Sequence, residues 1–190
     1  VVVLGAALVL SLLIKTFLIR SFFIPSGSML ETLQIDDRII VNQLTPALYP
    51  IERGDVVVFK DPGGWLGPAF DEPTDPVVVA VDWFLSAFGI TAPDSKLHLV
   101  KRVIGTEGDR VICCDEEGLI TVNGVPISED VYTAPGQAPS SIEFDVTVPK
   151  NSLWVLGDNR GNSEDSRFHA DLPSRGFVSQ EWIVGRAFVI

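Results

Sequence analysis

From Arg38 onward the chain is written in short β-branched runs separated by turn chemistry, and that pattern restricts its fold more than any other feature. "DRIIVNQL", "GDVVVFKD", "LHLVKRVIG", "DRVICC", "LITVNGVPI", "IEFDVTVP", "SLWVLGD" and "IVGRAFVI" follow one another between Asp, Gly, Pro and Ser, the punctuation of strands. Within "LITVNGVPI" the pair Asn123-Gly124 joins two such runs. It predicts a two-residue hairpin, because both residues tolerate the positive φ of a turn matched to strand twist. Only "VVVAVDWFLSAFGI" (77–90) reads as a helix, and it sits between the loops "PGGWLGPAFDEPTDP" and "TAPDS". Residues 61–96 are therefore an excursion from a β core. Packed on the sheet they make a lid; with Trp65, Trp83 and Phe84 exposed they would dip into a bilayer interface.

The opening fourteen residues, VVVLGAALVLSLLI, carry no charge. As a helix they span about 21 Å. Continuation through Phe17-Leu18-Ile19, with Lys15 snorkelling to headgroups, approaches the roughly 30 Å of a hydrocarbon core. Residues 1–19 are thus expected to be a transmembrane anchor, part of it preceding Val1, and residues 20–190 the domain it carries. The stop at Ile190 inside an apparent strand predicts trimming there as well. A cleaved leader would need a basic leading region and a small-x-small site, and this segment has neither.

The composition, 46% hydrophobic and 21% charged, is that of a globular chain. Its formal net charge of -11 repels phosphate backbones, and no basic run interrupts it, so nucleic acid is not an expected partner. With only His98 and His169 a histidine-rich metal site is disfavoured, and neither metal nor cofactor is expected. Cys113 and Cys114 are neighbours, which is neither redox nor zinc spacing. They either point to opposite faces of a strand or close a disulfide between themselves.

Three stretches carry chemistry. At the foot of the anchor stands Ser26-Gly27-Ser28-Met29. A linker would use the same residues. A nucleophile would use them differently: the glycine lets the backbone approach a substrate carbonyl, and Pro25 stiffens the entry. A serine attacks only if a base takes its proton and donors steady the oxyanion. In "LHLVKRVIG" alternation puts Leu97, Leu99, Lys101 and Val103 on one strand face, with His98, Val100, Arg102 and Ile104 on the other. A lysine among apolar neighbours is either a snorkelling edge residue or a buried amine whose lowered pKa suits it to be that base. Third, "GDNRGNSEDSR" (157–167) is a dense supply of hydrogen-bonding side chains. There Asp165 could pair with Arg102, and Ser163 with the lysine amine.

"IPSGSMLETL", "KRVIG.EGD" and "GDNR.NSEDSR", in this order after an apolar head, resemble bacterial signal peptidase I across nearly the whole chain. The resemblance implies a coiled antiparallel β architecture related to self-cleaving repressors. It implies a membrane-bound serine endopeptidase of the bacterial plasma membrane, monomeric, with its catalytic domain on the extracytoplasmic face. Its substrates would be preproteins, cut after small-x-small sites. By motif position, Ser28 is the nucleophile and Lys101 the general base. Ser26 lends its hydroxyl to the oxyanion hole beside the Ser28 N–H, Ser163 orients the lysine, and an Arg102–Asp165 pair braces the strands. Phe22, Ile24, Met29, Leu33, Ile39, Val58, Leu99 and Val100 are the matching candidates for shallow substrate pockets, most of them reading equally well as core. The peptide would bind as an added strand. The chain departs from the pattern at Glu31, where many relatives carry proline, and at Gly161, where aspartate is common. Two rivals remain: a serine–histidine hydrolase using His169, which lacks a G-x-S-x-G elbow, and a tethered, non-catalytic peptide-binding module.

Overall fold

The computed structural model describes residues 18–67 and 98–189, together with Val3, Gly5 and Val77. Eleven strands are defined in it: β1 (Ile19–Phe23), β2 (Arg38–Asn42), β3 (Val56–Lys60), β4 (His98–Gly105), β5 (Arg110–Cys113), β6 (Ile120–Val122), β7 (Val125–Pro126), β8 (Phe144–Thr147), β9 (Ser152–Leu156), β10 (Val178–Ser179) and β11 (Ile183–Val189). They form a seven-stranded sheet in the order β1-β2-β11-β3-β4-β9-β10 and a four-stranded sheet in the order β7-β6-β5-β8. Every pairing between them is antiparallel. The mainly β expectation holds, and the short β-branched runs are the strands.

Alternation on β3 and β4 divides the core. Val57, Phe59 and Val103 pack with Leu153, Val155 and Val178 on one side of the large sheet, and Leu99 lies against them. Val58 packs on the other side with Phe22, Ile24, Met29, Leu33, Ile39 and Val41, and Val100 lies against that group. The two sheets share a third cluster, in which Ile104, Trp154 and Leu156 meet Val111, Ile120, Val122 and Val148. Each such side chain removed from water contributes about 1.5–3 kcal/mol. Gly105, at the end of β4, lies in this seam. A Cβ there would stand 2.6 Å from Val111 Cγ2.

Asn123 and Gly124 turn with φ of 55° and 79° between the paired Val122 and Val125, the hairpin their chemistry predicts. Cys113 and Cys114 are joined to each other by a disulfide, the second of the two arrangements open to them. β1 begins at Ile19, so that residue is a paired strand position and not the last turn of an anchor. β2 recruits it: Ile19 lies opposite Asn42 and Phe23 opposite Arg38. The rest of the expected anchor falls almost wholly outside the described residues. Among the described residues no helix is long and apolar enough to cross a membrane.

The start of the excursion is a packed corner. Asp61 accepts hydrogen bonds from the backbone N–H groups of Gly63, Trp65 and Leu66 at 2.9, 2.9 and 3.3 Å. The turn delivers Trp65 edge-on to Phe59 and flat against His169, with ring centroids 5.7 and 4.2 Å apart. Trp65 is 4% exposed, so of the two readings open to it the packed one holds and the bilayer-facing one does not: its ring is covered by Phe59 and His169. Trp83 and Phe84 lie outside the described residues.

Candidate active site

Pro25 follows β1, and a single 3-10 turn (Gly27–Met29) then carries Ser28. Met29 and Leu33 anchor that turn in the cluster beneath it. Its backbone is also held by the loop that follows β9. Asn159 donates its N–H to the Ser28 carbonyl at 3.1 Å and its side-chain Nδ2 to the Gly27 carbonyl at 2.9 Å.

β4 is an interior strand between β3 and β9, so a side chain on it has nowhere to snorkel. Lys101 is 3% exposed. Its Nζ donates to Ser28 Oγ at 2.8 Å and to the Val100 carbonyl at 3.1 Å. Burial pulls its pKa down to about 8, with the charge of Arg167 adding to the effect; the carboxylates of Asp165, Asp158 and Glu164 pull the other way. A hydroxyl and a buried amine thus share a hydrogen bond, and a substantial fraction of that amine is neutral in mildly alkaline water. Ser26 Oγ lies 3.4 Å from Ser28 Oγ. Lys101 is therefore brought from 73 residues away in sequence to Ser28, with Ser26 beside it.

The family model for signal peptidase, peptidase S26, matches residues 1–190. The chain belongs to that family. It is 39% identical to signal peptidase I of Mycobacterium tuberculosis over 204 residues, covering 97% of this chain and 68% of that one. Against the probable signal peptidase I of Mycobacterium leprae it is 36% identical over 202 residues, with coverage of 92% and 69%. The crystal structure of a signal peptidase I from Enterococcus faecalis matches with a TM-score of 0.44 at 23% identity, covering 72% of this chain and 95% of that one. As a peptidase S26 member the chain is a serine peptidase, a hydrolase, and the non-catalytic module falls away.

Around this Ser28–Lys101 contact several expected partners are exchanged. Arg102 does not pair with Asp165. It clasps Asp158 through Nε–Oδ1 at 2.8 Å and Nη2–Oδ2 at 2.6 Å, donates to the Gly54 carbonyl and to Thr32 Oγ1, and lies 4.2 Å over the Tyr132 ring. Asp165 instead takes Arg167, Nε–Oδ1 at 2.8 Å and Nη2–Oδ2 at 2.7 Å, and accepts the Gly157 N–H at 3.0 Å. The reason is the curl of the loop after β9. Asp158 stays beside β4, whose Arg102 lies opposite Leu156, while Asp165 turns inward to its own segment. Ser163 Oγ is buried without a hydrogen-bond partner, and the second acceptor of the lysine amine is Val100.

Phe22, Ile24, Met29, Leu33, Ile39 and Val58 are sealed in one cluster, Val100 lies against it, and Leu99 belongs to the opposite side of the sheet. His169 gives its Nδ1 to the Asp165 carbonyl at 2.7 Å and stacks on Trp65. It is a wall of the loop and no partner of either serine among the described contacts.

Sequence reasoning passed over Gly157. Its N–H goes to Asp165 and its carbonyl accepts from Arg160 Nε at 3.1 Å. A Cβ there would stand 2.1 Å from Ser163 Oγ and 2.5 Å from the Ser28 carbonyl oxygen. The signal was a glycine at the point where an apolar strand gives way to a polar loop. Glu31, the departure from proline, has φ 82°, a value the proline ring does not reach.

Proposed function

We propose that this chain removes N-terminal signal peptides from exported preproteins as a membrane-bound Ser–Lys endopeptidase. It would act as a monomer on the extracytoplasmic face of a bacterial plasma membrane and cut after small-x-small sites of the Ala-x-Ala kind. The observation that carries this reading is the 2.8 Å bond between Ser28 Oγ and the buried Lys101 Nζ, in a chain of the signal peptidase family.

In this reading neutral Lys101 takes the Ser28 proton as Oγ adds to the scissile carbonyl. The Ser28 N–H and the Ser26 hydroxyl steady the oxyanion. The resulting Lys101 ammonium gives its proton to the departing amine as the C–N bond breaks, and the neutral Lys101 so regenerated then activates the water that hydrolyses the acyl-enzyme. Ser163 stands behind Gly157 as packing against the nucleophile turn. Arg102, Asp158 and Asp165 fix the two chain segments that flank the dyad. Val100 borders the substrate, and the six sealed apolar residues give it a rigid floor. Such shallow surfaces reject bulk by overlap.

The test is cleavage of a preprotein bearing an Ala-x-Ala site by the intact chain in detergent. Ser28→Ala and Lys101→Ala should each abolish product, whereas His169→Ala should retain it. Wild-type cleavage by Lys101→Ala, with loss in His169→Ala, would overturn the dyad.

A further inference from the structure

The segment between β7 and β8 straps itself across the loop that follows β9. Arg160 is the buckle: its guanidinium pairs with Glu129 and donates from Nη1 to the Pro139 carbonyl at 2.9 Å. Arg167 reaches Ser140 Oγ at 3.3 Å, and Tyr132, bonded to Glu129 at 2.9 Å, lies under Arg102. This strap delivers Gln137. Its Oε1 accepts the Arg160 N–H at 3.2 Å, a proton shared with the Asp158 carbonyl, and its Nε2 donates to Asn159 Oδ1 at 3.3 Å. Asn159 in turn donates to both carbonyls of the Gly27–Ser28 turn, at 2.9 Å from Nδ2 and 3.1 Å from its N–H.

We infer that Gln137 is a positioning residue for the peptidase reaction: it orients the Asn159 amide, and through that amide the backbone of the nucleophile. The inference rests on Ser28 being the nucleophile. What carries it is polarity. The relay begins at a backbone N–H, which can only donate, and ends at a backbone carbonyl, which can only accept. Both amides between them therefore have a single orientation that satisfies every bond. Reversing either one sets oxygen against oxygen and nitrogen against N–H. A Cβ at Gly161 would lie 3.3 Å from Gln137 Nε2, so the bare glycine leaves the amide its seat.

Preprotein cleavage by the intact chain in detergent, with kcat and KM separated, tests this against Ser28→Ala as the blank. Gln137→Ala should lower kcat about tenfold, with KM within about twofold. Gln137→Met keeps the volume and loses both bonds, so it should match the alanine variant. Gln137→Glu is the sharpest case: it is isosteric and still accepts from Arg160, yet it presents oxygen to Asn159 Oδ1 and should fall at least as far as alanine. Thermal midpoints of all three should stay close to wild type. A glutamate variant milder than alanine, a methionine variant at wild-type kcat, or a loss confined to KM overturns the relay. A wild-type chain that cuts nothing, or a Ser28→Ala chain that still cuts, instead removes the nucleophile assignment and the relay with it.

Discussion

An ammonium buried among Val100, Ser28 and the apolar face of β4 burdens the fold whenever it holds its proton, and Lys101 sits there with a pKa near 8. The unfolded chain titrates the same group near 10.4. Between about pH 8 and 10.4 the unfolded state therefore binds more protons, and stability rises with pH through that window. Lys101→Met should be inactive yet more stable than wild type at pH 7, by at most about 3 kcal/mol, with the advantage shrinking toward pH 10.4. Paired urea titrations across that range would read it. Activity has the same origin: kcat/KM should climb as pH rises through about 8, and Lys101→Arg, which stays charged, should lose it. At Gly157 the added methyl of alanine meets the backbone of the nucleophile itself. Gly157→Ala should cost roughly a hundredfold in kcat, since a displacement near 1 Å can do that much, and single-turnover cleavage measures it. The Ser28–Lys101 contact could be anticipated because each partner is written locally, one as a motif and one as a polar residue on an apolar strand face. The partner of Arg102 could not. Asp158 and Asp165 are equivalent on paper, and only the curl of the loop separates them.

At the level of elements, the junction of β3 with the excursion is held by one carboxylate and one indole. Trp65→Ala removes a side chain wedged between Phe59 and His169 and should cost about 3–5 kcal/mol. Denaturant midpoints with unchanged slope would show it. Composition left Trp65 open between a packed and an exposed ring because its neighbours are Gly and Pro; the three N–H bonds to Asp61 that turn it inward are tertiary in effect though local in sequence. β1 was obscured for the opposite reason. "IRSFF" follows an apolar head interrupted by Lys15 and Thr16, and only pairing with β2 reveals it as a strand. The Asn123-Gly124 hairpin was plain from two residues, since its turn needs nothing from the rest of the chain.

For the molecule as a whole, the two sheets share Trp154, which reaches from β9 into the cluster of the smaller sheet. Trp154→Ala should lower the thermal midpoint in one transition followed alike by near- and far-ultraviolet circular dichroism. Two separated transitions would mean that the sheets unfold independently. The mainly β character was legible because strand punctuation is local. The strand order, which inserts β11 between β2 and β3, was not, for it depends on which edges remain free once the hairpins have formed. That order also fixes a length. From Ile19, where β1 begins, to Ser28 runs a stretch clamped in register at one end and by Asn159 at the other. Nine residues extend at most about 30 Å, and this stretch can neither pay out nor take up slack. On the function proposed above, with substrate and peptidase tethered to the same bilayer, this stretch would serve as a ruler. It would choose the scissile bond first by its height above the lipid, before any side chain is read.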